Sequence, residues 1–182
     1  MENDSRTKMV RSAVALIAAR GVNATSFSDV LADSGAPRGS IYHHFPEGKA
    51  QLAEAAVQAT GAFVLARQRA LDGASAVEVI NGFVELWRRV VIASNGASGC
   101  AVAGTAIDTM PGDQLIGVVR ETFRAWVALL SEQLETAGLP PARAAAIALT
   151  TVAGMEGALI LCRAEGSVAP LDGVAAELLR LL

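Results

Sequence analysis

From Arg6 to Arg20 the apolar residues Met9, Val10, Ala13, Leu16 and Ile17 recur at intervals of three and four, while Lys8, Arg11 and Ser12 fall elsewhere. That is the period of an amphipathic helix, and Gly21 closes it as a C-terminal cap. A shorter helix follows Thr25-Ser26, with Ser26 and Asp29 spaced as a capping box and Phe27, Val30 and Leu31 as its inner stripe, up to Gly35. Pro37 suits the first turn of a third helix, since its missing N–H costs nothing there, and two turns from Arg38 to His44 are predicted. Beyond Pro46 and Gly48 a long amphipathic stretch runs from Lys49 to about Leu71 and includes Leu52, Ala56, Phe63 and Leu71. After Asp72-Gly73 the rhythm resumes with Val77, Ile80, Val84, Trp87 and Val91, and ends near Ser94. Asn95 to Gly99 reads as a flexible connector and Cys100 to Met110 as an irregular or short helical segment. Asp113 to Ala137 is a further helix, with Leu115, Val119, Phe123, Trp126, Leu130 and Leu134 on related faces. A terminal helix from Leu171 to Leu182 closes the chain.

The most apolar window, Ala144 to Cys162, approaches the length of a membrane span. Glu156 inside it would cost up to about 3 kcal/mol in a bilayer, so a buried helix of a soluble protein is the expectation, with no membrane partner. Alternating strand patterns are rare, and the expected fold class is all-α. The break at Pro46 and Gly48 separates a small N-terminal three-helix unit, residues 1–48, from a larger C-terminal helical part, residues 49–182.

Composition narrows this further. The chain has 182 residues, 52% hydrophobic and 18% charged, enough to bury a core and too apolar for disorder. Fifteen Lys and Arg against 18 Asp and Glu leave a net charge of −3, so nucleic acid must be met by a local patch. Two cysteines, Cys100 and Cys162, make no disulfide framework, and no leader pattern opens the chain; a reducing cytoplasm is expected.

The segment Thr25 to Lys49 carries the chemistry. A helix, a Gly-containing turn and a short helix make helix-turn-helix geometry, and the major groove, about 12 Å wide, admits such a second helix. Arg38, Ser40, Tyr42 and His43 lie on its outward side. Arg38 suits a forked pair of hydrogen bonds to guanine, Tyr42, His43 and His44 can reach phosphate, Gly39 allows close approach, and Lys49 can clamp a phosphate. Singly, each has a plainer reading: a core tyrosine, surface histidines, a solvated arginine.

Together, Thr25-Ser26, Gly35, the string Gly39-Ser40-Ile41-Tyr42-His43-His44-Phe45 and Lys49 resemble the DNA-binding domain of the tetracycline-repressor (TetR) family over about residues 6–60. The resemblance implies that Thr25 or Ser26, Arg38, Gly39, Ser40, Tyr42, His43, His44 and Lys49 face double-stranded operator DNA, with Ile41 and Phe45 turned inward. One residue more separates Phe45 from Lys49 than in the commonest family pattern. This Pro-x-Gly-Lys form, with Gly99-Cys100-Ala101-Val102 and Glu156-Gly157-Ala158-Leu159, is similar to the LmrA/YxaF-like subgroup of antibiotic-responsive repressors. Residues 1–60 hold six basic and six acidic side chains, so a positive face requires clustering.

A two-fold dimer doubles the phosphate contacts. The helices 113–137 and 142–163 are the candidates for its interface, because Ala146, Thr150, Gly154, Gly157 and Ala158 let backbones approach; the resembled family uses two such helices per subunit. Phe83, Trp87, Cys100, Val102, Ile107, Met110, Phe123, Trp126 and Met155 are plain core residues or the lining of an apolar cavity. The resemblance favours a pocket for a small hydrophobic effector. Two other readings are a helical binding or scaffold protein without DNA affinity, and an all-α enzyme using Cys100 or Glu156. The second lacks a base, since the only histidines are the adjacent pair, and vicinal histidines point about 100° apart on a helix, unsuited to one metal. No cofactor, metal site or catalytic residue is expected.

Overall fold

The computed structural model describes residues 2–182, with side chains described from Asp4 onward; Met1, the first residue of the expected N-terminal domain, lies outside the described residues. Among the described residues the secondary structure is helical: α1 (Glu2–Arg20), α2 (Phe27–Ser34), α3 (Ser40–His44), α4 (Lys49–Arg69), α5 (Ala76–Ala93), α6 (Ala101–Asp108), α7 (Gln114–Thr136), α8 (Pro141–Glu165) and α9 (Ala169–Arg180). The all-α expectation holds. Two compact units form, one from residues 1–61 and 100–122, the other from 62–99 and 123–182. The first therefore takes in most of α4, all of α6 and the start of α7 in addition to the three N-terminal helices.

The core of the first unit follows from the pattern along α1. Met9 and Ala13 are fully buried and Ile17 is nearly so, and they pack with Val30 of α2, Ile41 of α3, Phe45, Leu52, Ala53 and Ala56 of α4, Ala101 of α6 and Leu115 of α7. Ser12, expected off this face, is instead buried, and its hydroxyl donates to the Val30 carbonyl at 3.4 Å. A small hydroxyl next to Ala13 fits the α1–α2 contact once it has that acceptor.

In the second unit α5 buries Val79, Ile80, Phe83, Val84, Trp87 and Val91. Val77 and Phe63, read from the sequence as inner residues, are about half exposed, and the Arg67 guanidinium lies over the Phe63 ring at 5.4 Å. A buried amide pair ties three helices together. Gln68 donates from Nε2 to the Val79 carbonyl at 3.0 Å and to Gln133 Oε1 at 3.0 Å. Gln133 Nε2 donates in turn to the Gln68 carbonyl at 2.8 Å and to Asp72 Oδ1 at 2.7 Å. Helix α8 turns Ala144, Ile147, Ala148, Thr151, Val152, Met155, Ala158, Leu159 and Cys162 inward. It is long and apolar enough to cross a membrane by length and composition. Its outer face carries Ala146, Leu149, Thr150, Ala153, Gly157, Ile160 and Leu161.

Candidate nucleic-acid interface

Helix α2 begins where its sequence says it should. Ser26 has extended backbone, accepts the Asp29 N–H on its hydroxyl at 3.2 Å, and donates its own N–H to Asp29 Oδ2 at 2.9 Å, a reciprocal capping box. Hydrogen bonds from the Ser26 hydroxyl and backbone, reinforced by Arg20 at 2.9 Å, hold the Asp29 carboxyl below its ordinary pKa. Gly35 closes the helix in the left-handed region at φ 66°.

Helix α3 starts at Ser40, two residues later than the sequence predicts. Pro37 and Arg38 belong to the turn ahead of it, in which the Ser40 N–H and hydroxyl both donate to the Pro37 carbonyl, at 3.0 and 2.7 Å. The proline serves the turn, and Ser40 spends its hydroxyl there. What remains is a five-residue helix with two unlike faces: Ile41 and the following Phe45 are fully buried, whereas Tyr42 is 69% exposed and His43 is exposed beside it. The Tyr42 ring is held edge-on against Phe27 of α2 at 5.6 Å. Arg38 and Tyr42 border a groove of about 540 Å³ with Phe27, Ser28, Leu31 and Ala36. His44 is half-buried against the His43 and Phe45 rings.

Arg38, Gly39, Tyr42, His43 and half-exposed Ser40 thus share one accessible surface, and Ser26 lies exposed at the start of α2. Thr25 does not join them: it is 3% exposed, and its hydroxyl donates to the Gly21 carbonyl at 2.8 Å, so it secures the turn. Lys49 is exposed, but its ammonium donates to the Asn23 carbonyl at 3.2 Å. Sequence reasoning missed Arg6, whose guanidinium sits over the Phe45 ring at 5.4 Å and brings a cation to the end of α3. It also missed Asn23 and Asp108, joined across 85 positions. No local pattern announces a pair that distant.

The nine candidate effector residues divide between the units. Phe83, Trp87, Phe123, Trp126 and Met155 belong to the second, where Trp126 meets Phe83, Trp87 and Phe123 edge-on at 6.4, 5.9 and 5.4 Å. Cys100, Val102, Ile107 and Met110 belong to the first. Cys100 and Val102 are buried, but Ile107 and Met110 are 74% and 76% exposed and face solvent rather than a cavity wall. Trp87 Nε1, enclosed, has no hydrogen-bond partner among the described residues. The same residues contain no cluster of His, Cys, Asp and Glu able to hold a metal.

A short exposed helix seated by its buried face on two others, preceded by a capped helix, defines a helix-turn-helix DNA-binding regulator. Comparison with known proteins supplies the family. Residues 10–56 match the bacterial regulatory proteins of the tetR family, and residues 76–177 match the C-terminal domain of LmrA/YxaF-like transcriptional regulators. An uncharacterised helix-turn-helix regulator of Mycobacterium tuberculosis is 35% identical, over 97% of this chain and 93% of its own. The transcriptional regulator LmrA of Bacillus subtilis is 29% identical, over 92% and 91%. Among solved structures, a TetR regulator of Legionella pneumophila superposes with a TM-score of 0.85 at 25% identity, over 96% of this chain and 95% of that one. The regulatory protein TetR of Rhodobacter sphaeroides shares the fold at the same TM-score and 19% identity, over 97% and 98%. The chain belongs to the TetR family of bacterial transcriptional regulators, in its LmrA/YxaF-like branch, a family of DNA-binding proteins rather than enzymes.

Proposed function

We propose that the protein is a ligand-responsive repressor, a cytoplasmic homodimer that grips a two-fold operator and is released by a small hydrophobic effector. The observation that carries this is the two-faced α3: Ile41 at 0% exposure fixes the helix while Tyr42 at 69% offers its ring and hydroxyl outward, next to Arg38, Gly39, Ser40 and His43. Arg38 reads a base edge; Tyr42, His43 and His44 hold phosphates. Ser26 contributes by turning its hydroxyl from Asp29 to a phosphate. In the functional division, residues 1–48 read DNA and 49–182 sense and dimerise.

Two features support the dimer and the effector. The outer face of α8 exposes Leu149, Ile160 and Leu161 at 60%, 60% and 50%, between small Ala146, Thr150, Ala153 and Gly157. That is an apolar stripe with room for a second helix. Ala158, by contrast, is buried within the chain, and Gly154 packs against Val174. The ring cluster of Phe83, Trp87, Phe123 and Trp126, with Met155, gives an aromatic environment in which the Trp87 N–H is a single directional donor. Helix α4 runs from the first unit into the second without interruption and serves as the lever. The effector acts by binding the DNA-incompetent arrangement more tightly.

Fluorescence anisotropy with a duplex from the promoter upstream of the protein's own gene tests the reading. The wild type binds it, Tyr42→Ala loses binding while keeping its helical circular dichroism, and candidate hydrophobic effectors release the wild type. Equal affinity of wild type and Tyr42→Ala for every duplex contradicts the assigned surface.

A further inference from the structure

The turn between α1 and α2, residues 21–25, is held from two sides. Asp108, the last residue of α6, accepts the Asn23 N–H on Oδ2 at 2.9 Å, and its carbonyl accepts from Asn23 Nδ2 at 3.4 Å. Lys49, the first residue of α4, donates to the Asn23 carbonyl at 3.2 Å. The backbone N–H, the backbone carbonyl and the side-chain amide of Asn23 are therefore each taken up by a distant element.

The fit around these bonds is close. Gly21 has φ 81°, and a Cβ there would fall 2.3 Å from Asp108 Oδ2. One turn back on α6, a Cβ at Gly104 would fall 2.9 Å from the Ile17 carbonyl oxygen, so only glycine lets α6 lie this near α1. Inside the turn, Gly21 N–H donates to the Ile17 carbonyl at 2.8 Å, Thr25 N–H to the Val22 carbonyl at 3.0 Å, and the Thr25 hydroxyl to the Gly21 carbonyl at 2.8 Å. The turn is rigid internally, and its outside grips are the Asp108 and Lys49 contacts. Helix α6 is the first element after the segment 94–100 and lies on α1, although its sequence belongs with the C-terminal half.

We propose that the Asp108–Asn23 contact is a latch: it fixes the turn between α1 and α2 and so sets the angle at which α2 and α3 are presented to DNA, and its loss lowers operator affinity. The proposal rests on the operator-binding reading and adds Asp108, Asn23 and Lys49 as positioning residues that themselves touch no base. A hydrogen bond of 2.9 Å to a carboxylate is directional, and a shift of about 1 Å at the end of α6 carries it past the useful range.

The test compares Asp108→Asn, which keeps an acceptor oxygen without the charge, with Asp108→Ala, which keeps neither. Both are titrated against a duplex recovered by selection with the wild type. A latch predicts affinity about tenfold weaker in the alanine variant and close to wild type in the asparagine variant. If Asp108 acted merely as a negative charge near DNA, both variants would bind more tightly, and that result, or an unchanged alanine variant, overturns the proposal. Amide exchange on the wild type gives a readout independent of any variant. The Asn23 N–H is expected to exchange at least about a hundredfold more slowly than in an unstructured peptide, and absence of protection also overturns the latch. A wild type that recovers no duplex at all contradicts the operator reading instead.

Discussion

Ile41 and Tyr42 are neighbours in sequence with opposite tasks, one filling the core and the other facing out, and a five-residue helix suffices to separate them. Truncating Ile41 to Ala removes a fully buried side chain and is expected to cost about 2–5 kcal/mol in a denaturant melt. Gly39 makes the opposite case. Its φ is −71°, and a Cβ there meets nothing within 4 Å, so Gly39→Ala leaves the fold as it is. A loss of DNA affinity at unchanged melting temperature in Gly39→Ala shows that the backbone itself approaches the duplex; unchanged affinity shows that it does not. At this scale the exposed positions of α3 were legible, because the string from Gly39 to Phe45 alternates them with Ile41 and Phe45. Thr25 was not: beside the capping Ser26 it reads as a second free hydroxyl at the helix start, and only the fold shows it turned back onto Gly21. Gln133 was hidden for a related reason, since a lone amide beside Leu134 on α7 reads as solvated until Gln68 is found opposite it.

At the scale of elements, helix starts marked by a capping box were the most readable features and the turns the least. The spacing of Ser26 and Asp29 identifies the start of α2, and the same device recurs in Ser75 and Glu78 at the start of α5. Both carboxyls are held below their ordinary values by hydrogen bonds from the capping serine. Because the folded pKa is depressed, the stabilisation is present above the unfolded value and fades as pH falls through the lower folded one. An NMR titration of the Ser26 amide, which reports Asp29, is expected to give an apparent pKa below the ordinary 3.8, and a value at or above it contradicts the capping box. The start of α3 was misplaced because proline at a first turn and proline in a preceding turn look alike in sequence. The acceptor that Pro37 offers to Ser40 decides between them. Helix α6 was expected as an irregular or short helical segment and forms a short helix; its eight residues, most of them small, carry little periodicity, and its contact with α1 comes through Gly104.

For the whole molecule, the proposed division of labour is supported by where apolar surface is used up. The first unit buries its stripe within itself and leaves polar and aromatic groups on α3. The second leaves an apolar stripe on α8 that its own helices do not cover. Gly157→Arg in the middle of that stripe faces outward, where a Cβ meets nothing within 4 Å in the chain. Sedimentation velocity is expected to move from twice the chain mass of 18.7 kDa to 18.7 kDa in this variant, with helicity retained; an undisturbed dimer places the interface elsewhere. The helical class could be read from periodicity alone, whereas of the small residues read for the outer face of α8, Ala158 and Gly154 are turned toward the chain and Leu149, Ile160 and Leu161 were not foreseen. The assignment of α6 to the first unit could not be read so, because it depends on contacts between residues about 85 positions apart.

In the proposed complex, Arg38, Tyr42 and His43 on two copies of α3 read two related half-sites. Selection of bound duplexes from a random DNA pool by the wild-type protein tests it most directly. The account predicts recovered sequences with two-fold symmetry, their half-sites separated by a whole number of helical turns, each about 34 Å. It predicts also that Tyr42→Ala recovers none of them. A pool that stays random, or a single asymmetric site recovered equally well by Tyr42→Ala, contradicts it.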